Sequence, residues 1–382
     1  MMLNREVLSY LEQSFNETMA LLEALCKIPA PSNHEEKRAA FCKKWLEDQG
    51  AKGVYIDEAL NVVFPWCCEG KDRIVAFLAH TDTVFPDMTE PMPYHTDGKT
   101  VYSPGVGDDT ICLVMMLMVA KYIVKNGISS DRGILFVANA GEEGLGNLKG
   151  VKKIMEDYAG RIERLYTFDG TYDHIYNRCV GSHRYKIGVE TAGGHSFSAF
   201  GNRNAICVAA ELICALNKCQ VPVDGSSKTT FNVGIIEGGT SVNTIAQNAS
   251  FMYEYRSDSY QCLEKMQAFF RETVKKAMED PEAKITVETI GIRPCGTEVD
   301  QKIFDEMVSG SKAICEKYTG ISCRLDSGST DANIPMSLGV PAICVGNYMG
   351  GGAHTREEFM EIASVPVGLK ITAEMILQYC GK

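Results

Sequence analysis

The chain has 382 residues, of which 45% are hydrophobic and 23% are charged. These values are typical of a globular protein and exclude a collagen-like chain, a disordered chain and a small disulfide scaffold. The net charge of −11 would repel phosphate backbones and anionic membranes, so we expect neither nucleic acid nor a membrane as a partner. The length predicts two domains.

Cysteine usage and the N-terminal stretch predict a cytoplasmic protein. The 15 cysteines are scattered without any Cys-x-x-Cys pair, which argues against a zinc ribbon, a thioredoxin motif and a disulfide framework. We interpret them as buried, reduced thiols. The N-terminal stretch lacks the apolar core of a signal peptide. The most apolar run, residues 111–120, is too short to cross a bilayer.

Hydrophobic periodicity predicts alternating helices and strands in the first half of the chain. The expected helices lie near 4–27, 34–49, 109–125 and 147–157, and the expected strands near 54–56, 61–65, 74–79, 134–139 and 165–168. The run at 74–79 is continuously apolar, which is typical of a strand covered on both faces. The alternation indicates an α/β layer structure.

The pattern changes after about residue 181. Strands are expected near 184–191, 231–236, 249–256 and 284–289, with helices near 203–218 and 260–279. The order β-α-β-β-α-β is that of a ferredoxin-like domain. After residue 293 the pattern returns to helix, strand (341–345) and helix (365–379). We therefore predict an α/β domain of residues 1–181 and 293–382, interrupted by an α+β domain of residues 182–292.

Acidic residues and a histidine follow three predicted strands. His80 ends one strand and Asp82 lies two residues later, Glu142 and Glu143 follow a second, and Asp169 follows a third. Each pattern alone has an ordinary interpretation, either a capped turn or a solvated start of a helix. Their recurrence at strand ends favours a metal site, because converging histidines and carboxylates are metal ligands.

Two further strings add candidate ligands. Asp108 and Asp109 precede an apolar helix, where one of them could simply be an N-cap. His354 follows three glycines, a position where a histidine is usually only a surface residue. With one carboxylate counted from each of the strings at 108–109, 142–143 and 169, and with Asp82 set behind His80, these strings give two histidines and three carboxylates. That set is too large for one tetrahedral zinc but suits two metals that share a carboxylate.

The ordered motifs resemble those of the di-zinc metallopeptidase family of peptidase T, carboxypeptidase G and acetylornithine deacetylase. They are HTD (80–82), GDD (107–109), GEE (141–143), FDG (168–170), GGH (193–195) and GGAH (351–354). The resemblance covers nearly the whole chain. It implies a zinc-peptidase-like catalytic domain, a mixed sheet flanked by helices, with an inserted ferredoxin-like lid that also serves for dimerisation.

The resemblance also implies metal-ligand roles, residue by residue. His80 and Asp169 match the ligands of one metal, and Glu143 and His354 match those of the second. Asp108 matches the carboxylate that bridges the two metals. The cofactors implied are two divalent ions, zinc by the family pattern, with cobalt or manganese as alternatives.

Five other residues match family positions of different kinds. The matches are Glu142 (general base), Asp82 (carboxylate behind the first histidine), His195 (lid histidine that reaches a neighbouring subunit's active site), and Asn243 and Arg256 (substrate binding). A salt bridge to Asp258 is an equally good interpretation of Arg256. The string SGSTDAN (327–333) and Ala246 depart from the family pattern, which leaves the choice of substrate open.

The implied activity is metal-dependent hydrolysis of an amide bond in small peptides. The leading hypothesis is an aminopeptidase acting on di- or tripeptides, in a homodimer formed through the lid. The alternative is an amidohydrolase that removes the acyl group from N-acyl amino acids. A non-catalytic metal-binding or peptide-binding homologue is a third hypothesis, which the presence of Glu142 disfavours. A nucleotide-binding enzyme is rejected, because we find no Walker A string and no strand-linked G-x-G-x-x-G.

Overall fold

The computed structural model describes residues 3–144 and 146–381. The chain divides into two compact units. The larger unit comprises the residues up to Cys179 and those from Thr297 onward, and the smaller unit comprises Val180–Gly296. In the described part of the chain, no helix is long and apolar enough to cross a membrane.

The helices and strands are numbered in chain order. The helices are α1 (Arg5–Gln13), α2 (Phe15–Cys26), α3 (Glu36–Asp48), α4 (Cys112–Asn126), α5 (Lys149–Asp157), α6 (Ala205–Leu216), α7 (Tyr260–Ala277), α8 (Gln301–Thr319), α9 (Asn333–Ser337) and α10 (Val365–Leu377). The strands are β1 (Tyr55–Ile56), β2 (Val62–Trp66), β3 (Ile74–His80), β4 (His95–Thr96), β5 (Thr100–Tyr102), β6 (Gly133–Asn139), β7 (Ile162–Phe168), β8 (His174–Cys179), β9 (Gly181–Thr191), β10 (Gly194–His195), β11 (Thr229–Gly238), β12 (Thr244–Ile245), β13 (Asn248–Ser257), β14 (Ala283–Arg293), β15 (Arg324–Gly328), β16 (Ala342–Val345), β17 (Gly350–Gly351) and β18 (Phe359–Glu361).

The larger unit is built on a mixed sheet in the order β1-β2-β6-β3-β7-β16-β8-β15. Its centre is parallel, since β3 pairs in parallel with both β6 and β7. Every residue of β3 is buried. Alternate side chains enter two apolar cores, with Phe77 on one face and Leu78 on the other. This double burial explains the continuous apolar run, and the mixed sheet confirms the predicted α/β class.

A second sheet of the larger unit has the order β17-β18-β5-β4 and is antiparallel throughout. Strand β18 pairs with β5, with Phe359 opposite Tyr102. This pairing brings the segment after His354 beside the segment that leads into Asp108. Two distant parts of the sequence are thereby fixed next to each other.

The smaller unit has an antiparallel sheet in the order β11-β13-β9-β14. Helix α6 lies between β9 and β11 in sequence, and α7 lies between β13 and β14. The connection order is that of the ferredoxin-like motif. Its core includes Ile187, Leu212, Phe251 and Phe270. The short pair β10 and β12 forms a separate two-stranded sheet within this unit.

Several elements differ from the sequence-based expectations. The predicted helix over 4–27 is two helices, α1 and α2, separated at Ser14. Strands β8 and β15 were not predicted, because their sequences are polar and lack an apolar run: β8 reads HIYNRC and β15 reads RLDSG. The helix expected from residue 109 begins only at Cys112.

Two helical glycines of the larger unit give opposite expectations for substitution by alanine. In α10, a Cβ on Gly368 would lie 1.8 Å from the backbone oxygen of Asn347, whereas Gly310 in α8 has open space. We expect Gly368→Ala to lower the free energy of unfolding by about 1–3 kcal/mol or more, through overpacking. We expect Gly310→Ala to raise it by roughly 0.5–1 kcal/mol, because alanine favours a helix over glycine. Chemical denaturation of both variants tests this, and a Gly368→Ala protein as stable as the wild type would contradict the packing described.

Candidate metal centre

Histidine and acidic side chains converge at the carboxyl ends of three neighbouring strands. Strand β3 ends at His80, β6 is followed by Glu142 and Glu143, and β7 is followed by Asp169. The strands lie side by side in the order β6-β3-β7 and run parallel, so their carboxyl ends share one edge of the sheet. This edge is where open α/β sheets bind ligands.

The carboxylate of Asp108 lies between two imidazoles. Its Oδ1 is 2.9 Å from Nε2 of His80, and its Oδ2 is 3.0 Å from Nε2 of His354. Nε2 of His354 is also 3.1 Å from Oε1 of Glu143. Each oxygen of one carboxylate therefore faces a different histidine, which is the arrangement that a bridging ligand requires.

The potential ligands form overlapping groups. In each group the ligand atoms lie within 4.8 Å of one another, and the groups are His80–Glu142–Glu143, His80–Asp108–Asp169 and Asp108–Glu143–His354. Imidazole nitrogens and carboxylate oxygens are donors that zinc, cobalt and manganese all accept. Because Asp108 belongs to two of the groups, the donor set fits two divalent cations that share it.

The electrostatics of these side chains favour bound cations. Burial, together with the neighbouring carboxylate charge of Asp108, raises the pKa values of Asp109 and Asp169 well above the usual range. Hydrogen bonds to Asp108 and Glu143 raise the pKa of His354 to about 11. Carboxylates this close repel one another unless positive charge lies between them.

Asp82 holds the two glutamates in place. Its carboxylate accepts hydrogen bonds from the backbone N–H groups of Glu142 (2.9 Å) and Glu143 (3.1 Å), and from the hydroxyl of Ser32 (2.6 Å). Nδ1 of His80 lies 2.9 Å from the backbone oxygen of Asp82 and 3.6 Å from its carboxylate. Asp82 thus orients the imidazole mainly through its backbone, while its carboxylate positions the loop after β6.

Asp108 and Asp109 are not part of a regular helix. Both lie in the turn Val106–Ile111 and have non-helical backbone angles. The carboxylate of Asp109 is fully buried and accepts a hydrogen bond of 2.8 Å from the backbone N–H of His80. The N-cap interpretation is therefore wrong for Asp109, which instead ties the turn to the end of β3.

Sequence reasoning missed two buried charged residues that support the site. The Glu358 carboxylate accepts three backbone hydrogen bonds from the turn that contains Asp108. Burial, followed by the charge of Asp108, raises the pKa of Glu358 to about 7. The Arg38 guanidinium donates to the backbone oxygens of Ile28 and Thr81, both at 2.9 Å. Both residues lie in charged stretches, a pattern that normally indicates solvent exposure, so nothing in the sequence indicated that they are buried.

The lid candidates lie in the smaller unit. His195 and Asn243 are close together, since β10 pairs with β12 and the backbone oxygen of Asn243 accepts from Ser196 N–H at 2.9 Å. Both side chains are exposed. Arg256, in β13, forms two hydrogen bonds to Glu254, of 3.0 and 3.1 Å.

The chain is similar to proteins of one known family. The model of the family described as "Peptidase family M20/M25/M40" matches residues 76–378. Carboxypeptidase G2 of Pseudomonas sp. (strain RS-16) is 24% identical over 323 residues, which cover 81% of this chain and 74% of that protein. The family resemblance inferred from the motifs is thereby confirmed.

Solved structures share the fold over nearly the whole chain. A tripeptidase from Staphylococcus aureus aligns with a TM-score of 0.76 at 21% identity, covering 95% of this chain and 97% of that one. The YXEP protein of Bacillus subtilis, described as a dinuclear metal-binding peptidase, aligns with a TM-score of 0.66 at 12% identity, covering 96% and 99%.

Proposed function

Because the chain belongs to peptidase family M20/M25/M40 and is a metal-dependent hydrolase, we propose that it is an aminopeptidase that cleaves di- or tripeptides. The observation that carries the proposal is the Asp108 carboxylate, whose two oxygens face His80 and His354. The tripeptidase with the same fold supports this choice of substrate.

The metal ligands are part of the proposal. His80 and Asp169 would hold one divalent ion, Glu143 and His354 would hold the other, and Asp108 would bridge them. The ions would be zinc, with cobalt or manganese as alternatives, since mixed histidine and carboxylate sites accept all three. When bound, they would activate the attacking water and polarise the scissile carbonyl.

The chain's own residues would supply the proton transfer and the binding of the peptide. Glu142 is buried, and its backbone N–H is fixed by Asp82. It would accept the proton of the attacking water and deliver it to the leaving amine. His195 would donate to the developing oxyanion, and an interaction of that kind is worth a few kcal/mol. Asn243 and Arg256 would bind the peptide, Arg256 through its planar fork to a carboxylate.

The cellular location is also a proposal. The 15 cysteines are present as thiols, and most of them are buried. Free thiols persist in a reducing compartment. This supports the cytoplasm, where small peptides with free N-termini would be the substrates.

The homodimer is a further proposal, and the exposed edge of the smaller unit's sheet supports it. Strand β11 forms that edge, and its side chains Ile235 and Ile236 are 49% and 56% exposed. Val242 and Ile206 in the same unit are also exposed. A second copy of the chain would cover this apolar edge, which an isolated chain would leave open to pairing.

A substrate panel tests the activity. We expect the purified protein with added zinc, cobalt or manganese to release the N-terminal residue from free di- and tripeptides. We expect a chelator to abolish that release. N-acetyl amino acids are the comparison substrates, and cleavage of these alone would replace the aminopeptidase with the deacylase. Lack of turnover on both sets would count against either activity.

Substitution of Glu142 tests the general base. We expect Glu142→Gln to lower kcat by about 10²–10⁴-fold, because the amide cannot accept the proton. Metal content, measured by elemental analysis, should stay at the wild-type value. Glu69→Gln, at an exposed glutamate, is the matched control and should be fully active. Loss of both metals in Glu142→Gln would instead make Glu142 a ligand.

The two edges of one sheet provide a test of the dimer. We expect the wild type to sediment with twice the mass of the chain, and Ile236→Asp in β11 to shift it toward the monomer. Ile290→Asp is the control, since Ile290 is 37% exposed in β14, at the opposite edge of the same sheet. If both variants stayed dimeric, the interface would lie elsewhere, and a monomeric wild type would rule out the dimer.

A further inference from the structure

We propose that Glu358 is a positioning residue of the metal centre, which holds the backbone of the Gly105–Asp108 turn and thereby sets where the two oxygens of Asp108 point. The proposal rests on the proposed function, because it takes Asp108 to be the bridging ligand. It concerns a residue four positions after His354 that contributes no ligand atom to the groups described above.

The contacts of Glu358 are concentrated on this one turn. Its side chain lies in the interior, 1% exposed. Oε2 accepts a hydrogen bond from the N–H of Gly105 at 2.7 Å. Oε1 accepts from the N–H of Gly107 and from that of Asp108, both at 2.8 Å. One carboxylate thus satisfies three backbone donors, the last of which belongs to the bridging residue itself.

The backbone of the turn explains why a carboxylate is needed there. Gly105 has a φ of 74°, in the left-handed region, and Asp108 has φ −104° and ψ 91°. This conformation turns several N–H groups toward one point instead of along a helix axis, where they would find carbonyl partners. Buried donors need an acceptor. A carboxylate has enough lone pairs for three of them and carries the charge that strengthens such bonds.

The turn also packs against an aromatic side chain. A Cβ added to Gly107 would lie 2.3 Å from the hydroxyl oxygen of Tyr348, so the backbone of the turn lies directly against this ring. The turn therefore contacts both the Tyr348 ring and the Glu358 carboxylate. Without Glu358, the packing against Tyr348 would remain, but the three N–H groups would have no anchor.

One segment of the chain fixes Asp108 at two points. The His354 imidazole meets the Asp108 carboxylate at 3.0 Å, and Glu358 holds the Asp108 backbone N–H. The pairing of β18 with β5 fixes the position of this segment relative to the turn. The backbone N–H of Ser103, just before the turn, donates to the backbone oxygen of Glu358 at 3.2 Å. The distance between the bridging carboxylate and the second histidine is thus controlled from a single segment of the chain, residues 354–358.

The test measures metal binding directly, with cobalt(II) as the probe. Glu358→Gln keeps the shape of the side chain but replaces one carboxylate oxygen with an NH₂ group, which cannot accept a hydrogen bond from a backbone N–H. We expect cobalt(II) affinity, measured by competition with a chelating dye, to fall about tenfold to a hundredfold, as is typical when a partner behind a ligand is lost. We also expect the visible absorption spectrum of the bound cobalt to change. Saturating cobalt should restore most of the catalytic rate.

The neighbouring glutamate supplies the control. Glu357 is exposed and adjacent in sequence, so Glu357→Gln should leave both affinity and spectrum unchanged. If Glu358 only stabilises the fold, Glu358→Gln should have a lower melting temperature, but its folded form should keep the wild-type cobalt affinity and cobalt spectrum. That result would overturn the proposal. Glu358→Asp provides the same readouts if the glutamine variant does not fold.

The two proposals fail in different ways. If the wild type binds cobalt but hydrolyses no substrate, the proposed activity is wrong. The cobalt absorption spectra of the wild type and of Glu358→Gln can still be compared, and that comparison decides the role of Glu358. If the wild type binds no cobalt, the positioning proposal is overturned together with the metal centre. An unchanged spectrum in Glu358→Gln with normal peptide hydrolysis would overturn the positioning role alone.

Discussion

The carboxylate of Asp108 lies between the imidazoles of His80 and His354, and the carboxylates of Glu143 and Asp169 lie close beside it. Concentrating this much like charge in a buried volume is unfavourable, and either a bound cation or protonation of a carboxylate relieves it. The rest of the larger unit serves this arrangement. The parallel strands β6, β3 and β7 bring the charged groups together, and the surrounding loops prevent them from moving apart.

The acidic residues around the centre have two different kinds of partner. Some present their oxygens to the histidines, as Asp108 and Glu143 do. Others are turned away from the centre and accept hydrogen bonds from backbone N–H groups. Asp82 fixes the loop after β6 in this way, and Asp109 fixes the end of β3. These hydrogen bonds hold the loops in one conformation before substrate binds, so the loops need little rearrangement during the reaction.

The sequence indicated the candidate site residues more readily than the contacts that hold them in place. Three candidate ligands, His80, Glu143 and Asp169, were identified because each lies at or just after the end of an apolar run, and parallel pairing of those runs places their ends together. Asp108 and His354 do not follow such runs and were identified from the motifs GDD and GGAH. The role of Asp109 could not be predicted, since an aspartate before an apolar run is normally a helix cap. Arg38 and Glu358 could not be found at all, because burial of a charged side chain depends on contacts between residues far apart in the sequence. The polar strands β8 and β15 were missed for a related reason, since their pairing depends on the sheet and not on local pattern.

The position of the smaller unit within the chain has a consequence for the order in which the site is completed. Residues Val180–Gly296 separate Asp169 from His354. During synthesis, a nascent chain that has reached the end of the smaller unit carries His80, Asp108 and Asp169 but lacks His354. The second histidine becomes available only after the inserted unit has been made. With the ligands proposed above, full metal loading would be a late event in biogenesis, coupled to the arrival of the last strands and helix of the larger unit.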